Sequence, residues 1–116
     1  MAYLREEKEK LEVSYPIKKL WDNIPRTLEK LKWTAEETEE AKFHLKVKTK
    51  GAFLSYSSTM MIDLTIVDEN TTKMAIAAET PVTTITSIAD YGRTRERIDI
   101  FVTTLAKQME GEKKQQ

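Results

Sequence analysis

The chain has 116 residues, 40% of them hydrophobic, which is the length of one domain with enough apolar side chain for a single core. Its 19 Lys plus Arg balance 19 Asp plus Glu, so there is no overall basic field for nucleic acid or an anionic membrane, and any such attraction has to be local. The absence of cysteine excludes disulfides, thiolate chemistry and cysteine-based zinc sites.

The N-terminal MAYLREEKEK is charged where a signal peptide needs an apolar centre, and no apolar run approaches the ~20 residues that span a bilayer. The expectation is a soluble, cytoplasmic protein with no membrane insertion. Residues 9–14, EKLEVS, place Leu11 and Val13 on one face of a short strand, because strand side chains alternate. Ile17, Leu20, Trp21, Ile24, Leu28 and Leu31 then recur at helical spacing and form one apolar stripe. Pro25 falls inside that stripe, where it removes a donor and crowds the Trp21 carbonyl, so the spacing predicts two short helices or one kinked helix.

From Trp33 the two-residue period returns. A turn near residue 40 sets Trp33 opposite Val47 and Ala35 opposite Leu45, with Phe43 on the same apolar side. Residues 51–58 read as a loop or bulged bend, and Met60, Ile62, Leu64 and Ile66 as the inner face of a long strand. A turn at DENTT, centred on Asn70, brings Met74, Ile76 and Ala78 opposite Ile66, Leu64 and Ile62. Pro81 ends that strand or marks an edge. Asp90 or Thr94 can cap a last helix whose buried stripe is Ile98, Phe101, Val102, Leu105 and Met109, with Tyr91 on the same side. The reading is one domain over 1–110 with a disordered tail at 111–116.

A strand, a kinked or paired helix, four antiparallel strands and a helix make a two-layer α+β domain, its antiparallel sheet covered on one face by helices. The loop TKGAFLSYS at 49–57 and the later T-x-x-x-D-Y-G-R from Thr86 to Arg93 are similar to small prokaryotic proteins of uncharacterised function. Those share a TATA-box-binding-protein-like fold, and the whole resembles a minimal START or birch-pollen-allergen-type domain. The resemblance implies a fold and, through the larger superfamily, a small apolar ligand; it implies no activity.

The lysine comb of KFHLKVKTKG is the first candidate site. Lys46, Lys48 and Lys50 lie beyond the reach of EETEE, and they make an anion or partner patch if they are more than the solvated side of a strand. His44 has too few companions for a metal site and is read as a surface histidine. Phe53 and Tyr56 of the bend, with Tyr91 and Arg93 at the start of the last helix, are a candidate pocket for an anion. Trp21, Trp33 and Phe101 are the candidate lining of an apolar cavity, against the simpler reading that regular stripes are core.

No phosphate-binding glycine loop, nucleophile elbow or inward pair of carboxylates is present in the sequence. The expectation is therefore a non-enzymatic domain without a cofactor, interacting with a macromolecule or with itself through the outer sheet face. The alternative is a START-like binder of a small apolar or amphipathic molecule between sheet and helices, and nucleic acid is the least favoured partner.

Overall fold

The computed structural model describes residues 3–50, 57–82 and 92–114. Within them the chain runs β1 (Tyr3–Val13), α1 (Ile17–Leu31), β2 (Thr34–Glu39), a 3-10 turn (Glu40–Lys42), β3 (His44–Lys48), β4 (Thr59–Asp68), β5 (Thr71–Val82) and α2 (Arg93–Lys114). The strands form one antiparallel sheet in the order β1-β5-β4-β3-β2. Its inner face packs against both helices, which is the two-layer α+β architecture expected. Leu45, Val47, Met60, Ile62, Met74 and Ile76 from the sheet meet Leu20, Ile24, Ile98, Phe101 and Leu105 from the helices in one continuous core.

β1 is much longer than the Leu11–Val13 signal. It pairs with β5 from Tyr3↔Val82 to Val13↔Thr72. Its N-terminal half carries charge on both faces, so no apolar alternation marks it. An edge strand tolerates that composition, since charge there also discourages pairing with other chains.

α1 is a single helix running through Pro25, in place of the two segments expected as one possibility. Pro25 is exposed, so its ring points away from the core, and the helix loses only the one bond to the Trp21 carbonyl. The helix ends on Lys32 in the left-handed region (φ 61°), with the Trp33 N–H donating to the Leu28 carbonyl at 3.0 Å. This is a Schellman closure, which glycine makes without the Cβ penalty. Lys32→Gly is expected to raise stability by about 0.5–1 kcal/mol, read as a higher urea midpoint at unchanged slope.

Both hairpins shift register; β3, β4 and β5 keep the expected faces, while β2 exchanges its faces past the bulge, where Thr38 and not Glu37 lies opposite inward Leu45. Thr34 pairs with Lys48 and Ala35 with Val47, and after a bulge at Glu36 the partners are Glu37↔Lys46, Thr38↔Leu45 and Glu39↔His44. The turn is the cause: the 3-10 segment and a left-handed Phe43 (φ 50°) take up residues that a tight turn would leave in the strands. Phe43 holds this conformation while its ring packs edge-on against Trp21, with centroids 5.5 Å apart. Trp33 precedes the strand instead of opposing Val47, and Ala35 lies on the inner side but exposed, at an open groove between β2 and α1.

In the second hairpin Met74 pairs with Leu64, Ile76 with Ile62 and Ala78 with Met60, two residues from the expected register and on the same face. The turn is only Glu69–Asn70, held by the Asn70 N–H donating to Asp68 Oδ1 at 2.8 Å, with a bulge at Val67. Ile66 falls beyond the helices and is 62% exposed rather than core. Pro81 sits inside β5 opposite Leu4 and past the Thr59↔Glu79 end of the β4 pairing, where β5 has a strand neighbour on one side only, an edge-like setting that tolerates proline.

α2 buries Ile98, Phe101, Leu105 and Met109 as its spacing predicts, with Val102 at the margin. It continues through Gly111 to Lys114, into the stretch expected to be a disordered tail. Gln108 Nε2 donates to Asn23 Oδ1 at 3.3 Å, joining the two helices. No helix among the described residues is long and apolar enough to cross a membrane.

Candidate functional site

The inner face of the sheet changes character at one end. Along β5 the inward positions read Met74, Ile76 and Ala78, and the next is Thr80, fully buried. Beside it, just before β4, lies Ser58, and above both lie Thr94 and Arg97 from the first turns of α2. Arg97 Nη1 donates to Ser58 Oγ at 2.5 Å. Ser58 Oγ and Thr80 Oγ1 are 2.5 Å apart, and Thr80 Oγ1 and Thr94 Oγ1 are 2.8 Å apart. A guanidinium thus anchors a chain of three hydroxyls, each able to donate one proton and accept in return.

The cluster is deep, with Arg97 only 7% exposed and the three hydroxyl residues at 0%. Local backbone fixes it. The Thr49 N–H donates to the Ser58 carbonyl at 2.9 Å and the Ser58 N–H to Thr49 Oγ1 at 2.8 Å, which clamps the two ends of the β3–β4 connection. Other buried polar side chains bond nearby carbonyls: Asn23 to Lys19, Thr27 to Asn23 and Thr72 to Tyr15. In the Arg97 cluster buried polar side chains bond one another, in surroundings where such bonds are stronger than in water.

Arg97 points into the domain, whereas Arg95 lies among acids on the flank. Arg95 donates from Nη2 to Glu9 on β1, from Nη1 to the Lys8 carbonyl at 3.3 Å, and pairs through Nε with Asp99 at 3.4 Å. Its pKa is raised above the ordinary guanidinium value, chiefly by the hydrogen bond to Glu9, against some lowering by desolvation, with Glu9, Asp99 and Glu7 adding charge attraction. Phe53, Tyr56 and Tyr91 lie outside the described residues; Arg93 begins α2, and its side chain is also outside them.

Phe101 is fully buried core. Trp33 packs at the core's margin. Trp21 borders an open groove of about 340 Å³ between α1 and β2, with Ile24, Leu28, Ala35 and Leu45.

On the outer face, cross-strand partners dilute the lysine comb. Lys46 stands between Glu37 and Met61, Lys42 pairs with Glu39 at 3.5 Å, and His44 Nδ1 donates to Asp63 Oδ1 at 2.5 Å. Lys48 has only threonines, Thr34 and Thr59, as strand partners. Lys46, Lys48 and Lys50 form no ion pair among the described residues, and no His or carboxylate group there is arranged to hold a metal.

Reading apolar stripes alone misses the Arg97 cluster, yet its positions are periodic. Thr80 continues the two-residue step from Ala78, and Thr94 and Arg97 stand four residues before Ile98 and Phe101. Treating polar side chains on a buried face as a signal would have found all three.

No protein-family model matches the sequence, and no curated protein matches it. Solved structures do. A norcoclaurine synthase variant from Thalictrum flavum, in complex with a transition-state analogue, aligns over 97% of this chain and 98% of its own at a TM-score of 0.73 and 10% identity. A Streptomyces aromatase/cyclase aligns over 93% and 94% at 0.66 and 9%, and Ara h 8.0201 over 93% and 99% at 0.58 and 11%. These neighbours correct the expectation of a non-enzymatic domain: a synthase and an aromatase/cyclase share the fold across nearly the whole chain. The missing motifs therefore do not set this chain apart from catalysts. At such identities the likeness shows architecture alone, and the chain has a START/Bet v 1-like fold.

Proposed function

We propose that the chain binds a small amphipathic molecule between the sheet and α2, with its polar head at Ser58, Thr80, Thr94 and Arg97. The observation that carries this reading is the buried guanidinium and hydroxyl cluster at one end of an apolar interface. A concave apolar surface with a few convergent polar groups is the usual construction of a ligand site. A carboxylate, sulfonate or polarised carbonyl would accept from Arg97 and from whichever hydroxyl turns toward it. Phe101 is fully buried, and a polar head that needs Arg97 favours a ligand at the cluster's end of the interface over one among Trp21, Trp33 and Phe101. A synthase of the same fold, solved in complex with a transition-state analogue, supports a small-molecule role.

Native mass spectrometry of freshly purified protein tests the reading. The expected result is a monomer carrying a small molecule that organic solvent releases. A dimer without one would instead favour self-association through the outer face, where half-buried Met61 and the exposed Val67 are the apolar residues on offer.

A further inference from the structure

A second crevice runs along the flank of the molecule between edge strand β1 and α2. Leu11, Val13, Met74, Val102, Leu105 and Met109 line it, and it is open to solvent over about 490 Å³. Leu11 and Val102 also belong to its continuation, about 430 Å³, which ends at Glu9, Arg95, Asp99 and Thr103. We propose that this crevice is a separate binding site for a cationic amphiphile with a single unbranched chain, and that Arg95 occupies the cation's place in the free protein.

Charge complementarity commits the site to a cation. The polar end carries two carboxylates, Glu9 and Asp99, against the one guanidinium that bridges them. Removing Arg95 from that bridge leaves a carboxylate pair at the mouth of an apolar slot, which suits an ammonium head and repels an anion. Arg95 itself imitates such a ligand: its charge sits between the carboxylates and its side chain lines the crevice. It is partly exposed, so a competing cation can reach the same carboxylates from solvent. The two crevices share Leu11 and Val102 and run end to end between one strand and one helix, which suits a linear chain whose head lies at Glu9 and Asp99. This site lies on the flank of α2 and is independent of the Arg97 cluster on the inner face.

Isothermal titration of the full chain with decylamine and with decanoate, both as monomers, tests the assignment. Decylamine is expected to bind and decanoate not to. Glu9→Gln with Asp99→Asn is expected to weaken decylamine at least about fivefold, and Arg95→Met to tighten it by about fivefold, as for partly exposed charge pairs. Should the double variant lose its native circular dichroism, Asp99→Asn alone, at an exposed position, reads the same charge. Arg97→Leu is expected to leave decylamine affinity unchanged. Equal binding of decanoate, no binding of decylamine, weakening by Arg95→Met, or sensitivity to Arg97→Leu would each overturn the proposal.

Discussion

Phe101→Ala is expected to lower the unfolding free energy by about 3–5 kcal/mol and the melting temperature by about 10–20 °C. Phe101 is fully buried where α2 meets the sheet, among side chains from both helices and the central strands. Truncation there leaves a cavity that close-packed neighbours fill only in part. Ile100, one position along and 38% exposed, is the control: Ile100→Ala is expected to stay within about 0.5 kcal/mol of wild type. Were Phe101 a lining residue of a roomy ligand cavity, its truncation would cost far less and would alter binding first. Thermal melts followed by circular dichroism separate these outcomes.

Arg97→Leu is expected to weaken binding of an amphipathic anion such as anilinonaphthalene sulfonate about 10–100-fold, the worth of a buried charge-assisted hydrogen bond. The same change strips Ser58 Oγ of its guanidinium donor, and a buried hydroxyl left short of partners costs about 1–3 kcal/mol. Thr80→Val breaks the hydroxyl chain in the middle without touching the charge. It is expected to destabilise while retaining most of the anion affinity, which separates the cluster's structural role from its binding role. Fluorescence titration and urea denaturation of both variants give the two readouts.

Much of the fold was legible because the sheet has one wet side. Leu45, Val47, Met60, Ile62, Leu64, Met74, Ile76 and Ala78 face the core as their parity requires, and the α2 stripe is buried as spaced. Register was not legible, since it depends on how many residues each turn consumes. The left-handed Phe43 and the bulges at Glu36 and Val67 leave no mark in a polar-apolar pattern. The charged half of β1 was hidden for a related reason: Glu9 faces inward at the sheet's edge, and only its partner Arg95, 86 residues away, makes that position tolerable.

The candidate site was the least legible part. A comb of lysines attracts the eye but is spread over a solvated face and met by Glu37, Glu39 and Asp63. Ser58, Thr80, Thr94 and Arg97 come from three separate elements, and their types belong as readily on a surface as in a core. Only the assembled sheet and helix bring them together. The opening expectation of a non-catalytic domain failed in the same way, because this fold's known catalysts share architecture with the chain at about 10% identity.

The most direct test of the central claim is a titration of isotope-labelled protein with anilinonaphthalene sulfonate, followed through its amide resonances. The expected shifts centre on Ser58, Thr80, Thr94 and Arg97, saturate at one equivalent and are absent in Arg97→Leu. Shifts confined to the Trp21 groove or to the outer-face rows of Lys46 and Lys48, with the four cluster amides unmoved, would contradict it.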